Sequence, residues 1–535
     1  MVMSRVPERF PQYLAESAEV TIIDCKIPRW KEKIFGALKP PFYPGQQRGE
    51  KPLMRILEMV KKELGARTAI IEPYVSTDWN EEYGAIYSRI FQPPPQLAQR
   101  IHFFAEPENG KLLEPCDLFQ LTEAIQKAYL GHTVVRPLPA FRVGDTVLKS
   151  PCAVLHSDGG GKQTFHLSHC TAEFTNSLLG NRLKIKGMPF IQQETTVGVC
   201  AEADLWMLAR YLNKMSETIR YRPAEITELA TRTITVGPPR EGLTDEQILA
   251  AFRPMGLTGQ AFSPKNADEA RDFLYTCVES SLPVIAATGG LKGPGHVVVI
   301  IGHDYKKKMK FKSPHRSMSE LVENFYVHDD AEGPYLRRKV GKVTSIEGVE
   351  MLTLGGQRLE VCFVPLPQRV HLLWEDVHNV VDEWLARITA FVAAEFPKLS
   401  RGKLWKPWSP GGLVRRIYLR RSIEFKRDLL RGETNERDLD IVAQYRCMQM
   451  PRYIWVVELA DHKDLDGHNP YSRRIRGEML LDSTANRHAI DETLLSFHYD
   501  GRLYVQGRFN QPSRFLSTDN AKPYRPLLRV TRNDP

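Results

Sequence analysis

The sequence predicts an α+β protein organised in three parts. Three observations carry this. Helix-type periodicity and strand-type runs are mixed along the whole chain, the middle section places its helices before its strands, and 535 residues exceed what one hydrophobic core accommodates. The longest apolar run, Val297 to Ile301, is far too short to cross a bilayer, and the opening MVMSRVPERFPQYL has no apolar segment of the signal-peptide kind. A cytoplasmic protein without membrane association is therefore expected.

The first part, residues 1–140, reads as an α/β region. PLMRILEMVKKEL (Pro52 to Leu64) has helical spacing, TAIIEPYV (Thr68 to Val75) is strand-like, and KPPFYP and QPPPQ mark loops or edges. No motif in this part carries chemistry. The middle, residues 141–366, opens with a helix from Cys200, whose Ala201, Leu205, Leu208, Ala209 and Leu212 share one face. GLTDEQILAAF follows, with Thr244 and Gln247 spaced as a capping box, and Asn266 with Glu269 is spaced as a second box ahead of a helix that buries Cys277. Three strand-like runs come next: LPVIAAT, GHVVVIIGHDY and ENFYVHDD. The last part, residues 367–535, starts with a helix over EDVHNVVDEWLARITAFVAAEF and continues with YIWVVEL, RGEMLLDST and a hairpin at Asp500-Gly501, again α+β.

Eight scattered cysteines without a CxxC pair suggest neither a zinc ribbon nor a disulfide framework, and reduced thiols are expected. The net charge of +9 is the small difference between 73 basic and 64 acidic residues, so it permits nucleic-acid contact without demanding it. HLSHC offers His166, His169 and Cys170 but no second ligand pair. SDGGGKQT lacks the first glycine and the final Ser/Thr of a phosphate loop and reads as a turn. The basic run Lys306 to Lys312 reads first as a solvated hairpin tip and second as a surface that recruits an acidic substrate or a nucleic-acid partner.

Cys200 sits at a helix start, where unpaired backbone amides favour a thiolate. A thiolate needs an imidazole partner, and the imidazole needs a carboxylate or amide to hold its tautomer. Downstream, His296 opens one strand and Asp329 closes another. His303, seven residues beyond His296, is the other candidate base, and the odd spacing predicts that it faces the opposite side of the strand.

The order GVCA, GLTDEQILAAF, LPVIAAT, GHVVVIIGHDY and FYVHDDAEG resembles the papain-like cysteine peptidases, in particular the bacteriocin-processing, double-glycine peptidase family and its cytoplasmic relatives, over about residues 190–335. The resemblance implies a papain-like core flanked by the additional α/β and α+β regions, with Cys200 as nucleophile, His296 as general base and acid, and Asp329 orienting the imidazole. The family's oxyanion-hole glutamine stands six residues before the cysteine, where this chain has Glu194, so the neighbouring Gln193 is expected to serve. Asp330 stands where the family has proline and is the alternative orienting residue. A peptidase or amide hydrolase acting on a protein or peptide follows, with no metal or organic cofactor, the flanking regions docking substrate or a regulatory protein. The same triad would serve an acyltransferase or transglutaminase-like enzyme, and the same fold an inactive binding scaffold.

Overall fold

The computed structural model describes residues 20–38, 51–107, 110, 113, 117–118, 122–151, 167–193, 200–216, 218–231, 243–289, 296–305, 317–399, 413–429, 438–461, 474–507, 513–517 and 525–526. KPPFYP, SDGGGKQT, His166, Glu194 and the lysine-rich insertion lie outside these residues. The architecture is α+β, with helices packed on three large antiparallel sheets, and two further sheets among the described residues have two strands each. Among the described residues no helix is long and apolar enough to cross a membrane.

The first sheet has six strands in the order Thr21–Asp24, Ala66–Tyr74, Ala98–Ala105, Tyr129–Val135, Val143–Leu148 and Pro189–Phe190. TAIIEPYV lies in its second strand, and PLMRILEMVKKEL forms the helix Lys51–Lys62, which buries Leu53, Ile56, Leu57 and Val60. The same apolar cluster takes in Trp206 and Leu208 of the helix Cys200–Ser216. That helix is therefore held from the N-terminal side. Arg210 reaches Asp145 of the first sheet at 3.3 Å, and its guanidinium lies 4.9 Å from the centre of the Phe174 ring.

The second sheet carries the strands of interest. Its path runs Leu257–Phe262, Gln357–Pro367, Val284–Gly289, His296–Tyr305, Val322–Asp329, Gly333–Thr344 and Glu350–Leu354, and the last strand pairs back onto Gln357–Pro367. Six of these strands thus run around a ring. Leu257–Phe262 is a strand that residue pattern does not reveal, because Gly259 interrupts it and its burial does not alternate. Gly259 itself is required by space, since a Cβ there would come within 2.6 Å of the Phe252 ring. Helices do precede most of the strands, with Asp245–Phe252 and Ala267–Glu279 packed on the sheet. Thr244 and Gln247 make the reciprocal capping box. At the second start Asn266 caps Asp268 and Glu269, but the Glu269 carboxylate accepts from the Lys265 amide rather than from Asn266.

The third sheet runs Leu413–Arg421, Tyr453–Asp461, Gly477–Asp482, Leu494–Tyr499, Arg502–Val505 and Arg514–Ser517. Asp500 and Gly501 both have positive φ, 49° and 74°, as a two-residue hairpin turn requires, and Tyr499 pairs with Arg502 across it. The helix Trp374–Leu399 precedes this sheet, and its Val377, Val380 and Val381 share a core with Trp455, Met479 and residues of the second sheet.

Candidate active site

His296 begins its strand opposite Thr288, whose hydroxyl donates to the His296 carbonyl at 3.2 Å. The neighbouring strand ends at Asp329, where the chain turns. The Asp329 carboxylate accepts the Ala331 and Glu332 amides at 3.0 and 3.2 Å, which fixes its side chain at the turn. Gly333, at φ 129°, completes the turn against the helix Lys51–Lys62, where a Cβ would press to 2.7 Å of Arg55. Arg55 in turn donates to the carbonyls of Pro334 and Tyr335.

Across the two strand ends, His296 Nε2 lies 3.0 Å from Asp329 Oδ1 and 3.9 Å from Asp330 Oδ1. Of the two aspartates proposed for the orienting role, Asp329 is the one at hydrogen-bond distance. Nε2 is thereby engaged with Asp329. Burial would raise the Asp329 carboxyl, but the hydrogen bond and charge of His296, the Ala331 amide and Arg338 together hold it below the usual carboxylate range. Arg338 reaches its other oxygen at 3.3 Å.

Asp330 behaves oppositely. It is fully buried, and neither carboxylate oxygen has a hydrogen-bond partner among the described residues. Burial pushes its pKa up to about 7, with the repulsion of Asp329, while the attraction of His296 and the nearby backbone amides of Asp330 and Ala331 oppose the rise. A further carboxylate, which sequence reasoning missed, joins it: Asp204, on the helix Cys200–Ser216. Asp204 is also fully buried without a hydrogen-bond partner among the described residues. Burial holds its pKa well above the ordinary carboxylate value, and Asp330 and Asp329 reinforce this while His296 opposes it. The signal for Asp204 was present, because it lies four residues after Cys200 and so on the same face of the helix.

The helix begins at Cys200 and packs against the strand His296–Tyr305. Gln193 is partly buried, and its Oε1 has no hydrogen-bond partner among the described residues, whereas the Gln192 side chain is committed to the Val143 amide at 3.0 Å.

Other candidates fall away from this site. His303 is fully buried with Nε2 2.7 Å from Glu279 Oε1. The expected alternation does not explain its exclusion, because a register shift between Ile300 and Gly302 breaks the two-residue period; the bond to Glu279 does. His328, beside Asp329, bonds the Pro189 carbonyl at 3.1 Å, and burial pushes its pKa down to about 3. Cys277 and Cys170 are buried thiols whose pKa values burial raises. Cys170 packs in the core, its amide donating to the Ile301 carbonyl, as a small hydrophobe would.

No protein-family model matches the chain, and no curated protein matches it in sequence. Among solved structures the chain is similar to the crystal structure of the peptidase domain of Streptococcus ComA, a bi-functional ABC transporter involved in a quorum sensing pathway, at 14% identity, over 34% of this chain and 98% of that one, with a TM-score of 0.20. A similarity of this size does not by itself establish a common fold.

Proposed function

We propose that the chain is a papain-like thiol hydrolase acting on an amide bond of a protein or peptide, with Cys200 as nucleophile. The observation that carries the reading is the 3.0 Å contact between His296 Nε2 and Asp329 Oδ1, made at adjoining strand ends beside a helix that begins with a cysteine. Asp204 supports it further. It stands one turn along the helix that begins at Cys200 and in electrostatic range of His296, and positions four apart share a helix face.

In this reading His296 Nδ1 takes the proton of the Cys200 thiol, helped by the helix N-terminus, while Asp329 fixes the tautomer through Nε2. The thiolate attacks the carbonyl carbon. The oxyanion is met by the Cys200 amide and by the Gln193 side-chain amide, and collapse expels the amine, which takes its proton from His296. Water, deprotonated by His296, then cleaves the thioester and frees the sulfur. The first and third sheets would present surfaces for substrate or a regulatory partner.

The test is an acyl-transfer assay with p-nitrophenyl acyl esters. The reading expects a burst of about one nitrophenol per chain and an acyl mass on the Cys200 peptide. The absence of acylation at Cys200 in a folded chain, across ester types, contradicts it. If an added amine rather than water discharges the acyl group, the acyltransferase form of the mechanism replaces the hydrolase.

A further inference from the structure

The ligand-type atoms of His296, Asp329 and Asp330 lie within 4.8 Å of one another. Nitrogen and carboxylate donors at roughly 2.1 Å from one tetrahedral ion stand about 3.4 Å apart, and the separations from Nε2 to the two aspartate oxygens, 3.0 and 3.9 Å, bracket that value. An independent observation points the same way. The Asp330 side chain is 0% exposed, its oxygens have no hydrogen-bond partner among the described residues, and one of them lies 3.9 Å from Nε2. A buried carboxylate left in this state is stabilised by a cation. Asp204 adds another buried carboxylate within electrostatic range, while Arg338 offsets only one charge and is shared with Glu332. His296 retains 23% side-chain exposure, which gives an ion access from solvent.

We propose that His296 Nε2, Asp329 and Asp330 bind one divalent transition-metal ion of the zinc type, and that this ion switches the thiol site off. Imidazole with carboxylates is a donor set that zinc accepts, with solvent completing the coordination. Binding uses the Nε2 lone pair of the neutral ring, so the ring proton moves through solvent from Nε2 to Nδ1, and the Asp330 carboxyl gives its proton to solvent as the oxygen–metal bond forms. No electron transfer is involved. With Nε2 metallated, Asp329 no longer receives an N–H from the ring, so the imidazole loses the partner that supports its protonated form. The ion-binding half stands on the three residues alone, whereas the switching half rests on the hydrolase reading above.

The experiment is a calorimetric titration of chelator-dialysed full-length chain with zinc chloride, repeated with cobalt(II) to read coordination by visible absorption. Wild type, Cys200→Ala, Asp330→Asn and His296→Gln are compared, each checked for folding by circular dichroism. The expected result is one ion per chain in wild type and Cys200→Ala, with affinity at least about tenfold weaker in Asp330→Asn and His296→Gln. No binding by wild type, or equal affinity in a folded Asp330→Asn or His296→Gln, overturns the site. Should Asp330→Asn fail to fold, His296→Gln, at the exposed edge, carries the comparison. For the switch, zinc is expected to slow iodoacetamide labelling of Cys200 at least about tenfold, with recovery in EDTA. Zinc binding without that slowing overturns the switch; slow labelling even in EDTA overturns the hydrolase reading and leaves the ion site standing.

Discussion

Two regions of this molecule bury charge, and they do so on different terms. In the third sheet, Arg416, Glu458, Glu478 and His498 are cross-strand neighbours on four consecutive strands, all buried. Arg416 Nε donates to Glu458 at 2.6 Å, Tyr418 donates to the other oxygen at 2.8 Å, and a further Arg416 nitrogen lies 3.6 Å from Glu279, which also holds His303. Burial alone would make Arg416 easier to deprotonate, yet Glu458 and Glu279 hold its pKa well above the ordinary value. Within this array the Arg416–Glu458 pair, with Tyr418, is fully satisfied. Around His296 Asp329 is satisfied, while the buried carboxyl oxygens of Asp330 and Asp204 complete no hydrogen bond among the described residues. A satisfied pair such as Arg416 with Glu458 specifies packing, whereas buried carboxyls such as Asp330 and Asp204 mark a functional-site candidate.

The sharpest way to break this comparison is to remove one member from each array. In the site, His296→Ala and Cys200→Ala are expected to lower turnover by at least about 10³-fold with little change in unfolding midpoint. Asp329→Asn is expected to lower it by about 10²–10⁴-fold and Asp330→Asn by much less, since only Asp329 is at hydrogen-bond distance from the ring. Steady-state kinetics on any acyl substrate that shows the burst measures all four. In the third sheet, Arg416→Met strands Glu458 and Glu279 and is expected to cost about 3–5 kcal/mol in urea unfolding, while the surviving folded chain keeps its Cys200 reactivity. If Arg416→Met is neutral, the two arrays do not differ in the way argued.

A smaller effect sharpens the contrast within the Cys200 helix. Burial pushes the Glu202 pKa up from 4.5 to about 7, with Thr227 opposing through a hydrogen bond. A carboxyl whose folded pKa is raised keeps its proton in the native state while the unfolded chain loses it. Stability is therefore lost as pH rises from about 4.5 through about 7 and is level on either side. Glu202→Gln removes that loss, so its gain over wild type is expected to grow across this window to roughly 2–3 kcal/mol at pH 8, and to vanish near pH 4. Denaturation curves at the two pH values decide it.

Much of this arrangement was legible in the residues, for local reasons. Val297 to Ile301 could only be a buried strand, Thr244 with Gln247 announced a helix start, and Asp500-Gly501 announced a hairpin. The meeting of His296 with Asp329 was anticipated because each sits at the end of an unmistakable strand. What escaped depends on pairing distant in sequence. Leu257–Phe262 is held as a strand by Gln357–Pro367, and Glu458 stands beside Glu478 only through the register of their two strands. Asp204 escaped because one acid among Ala201, Leu205 and Leu208 reads as a lapse in an amphipathic helix, and only the fold brings Asp330 beside it.

The most direct test of the central claim is the rate of Cys200 alkylation by iodoacetamide between pH 5 and 9, quantified by peptide mass spectrometry against Cys447, an exposed free thiol. The account predicts that at pH 6, with EDTA present, Cys200 reacts at least about tenfold faster than Cys447, and that His296→Ala removes the advantage. Labelling of Cys200 no faster than Cys447 at every pH would contradict it.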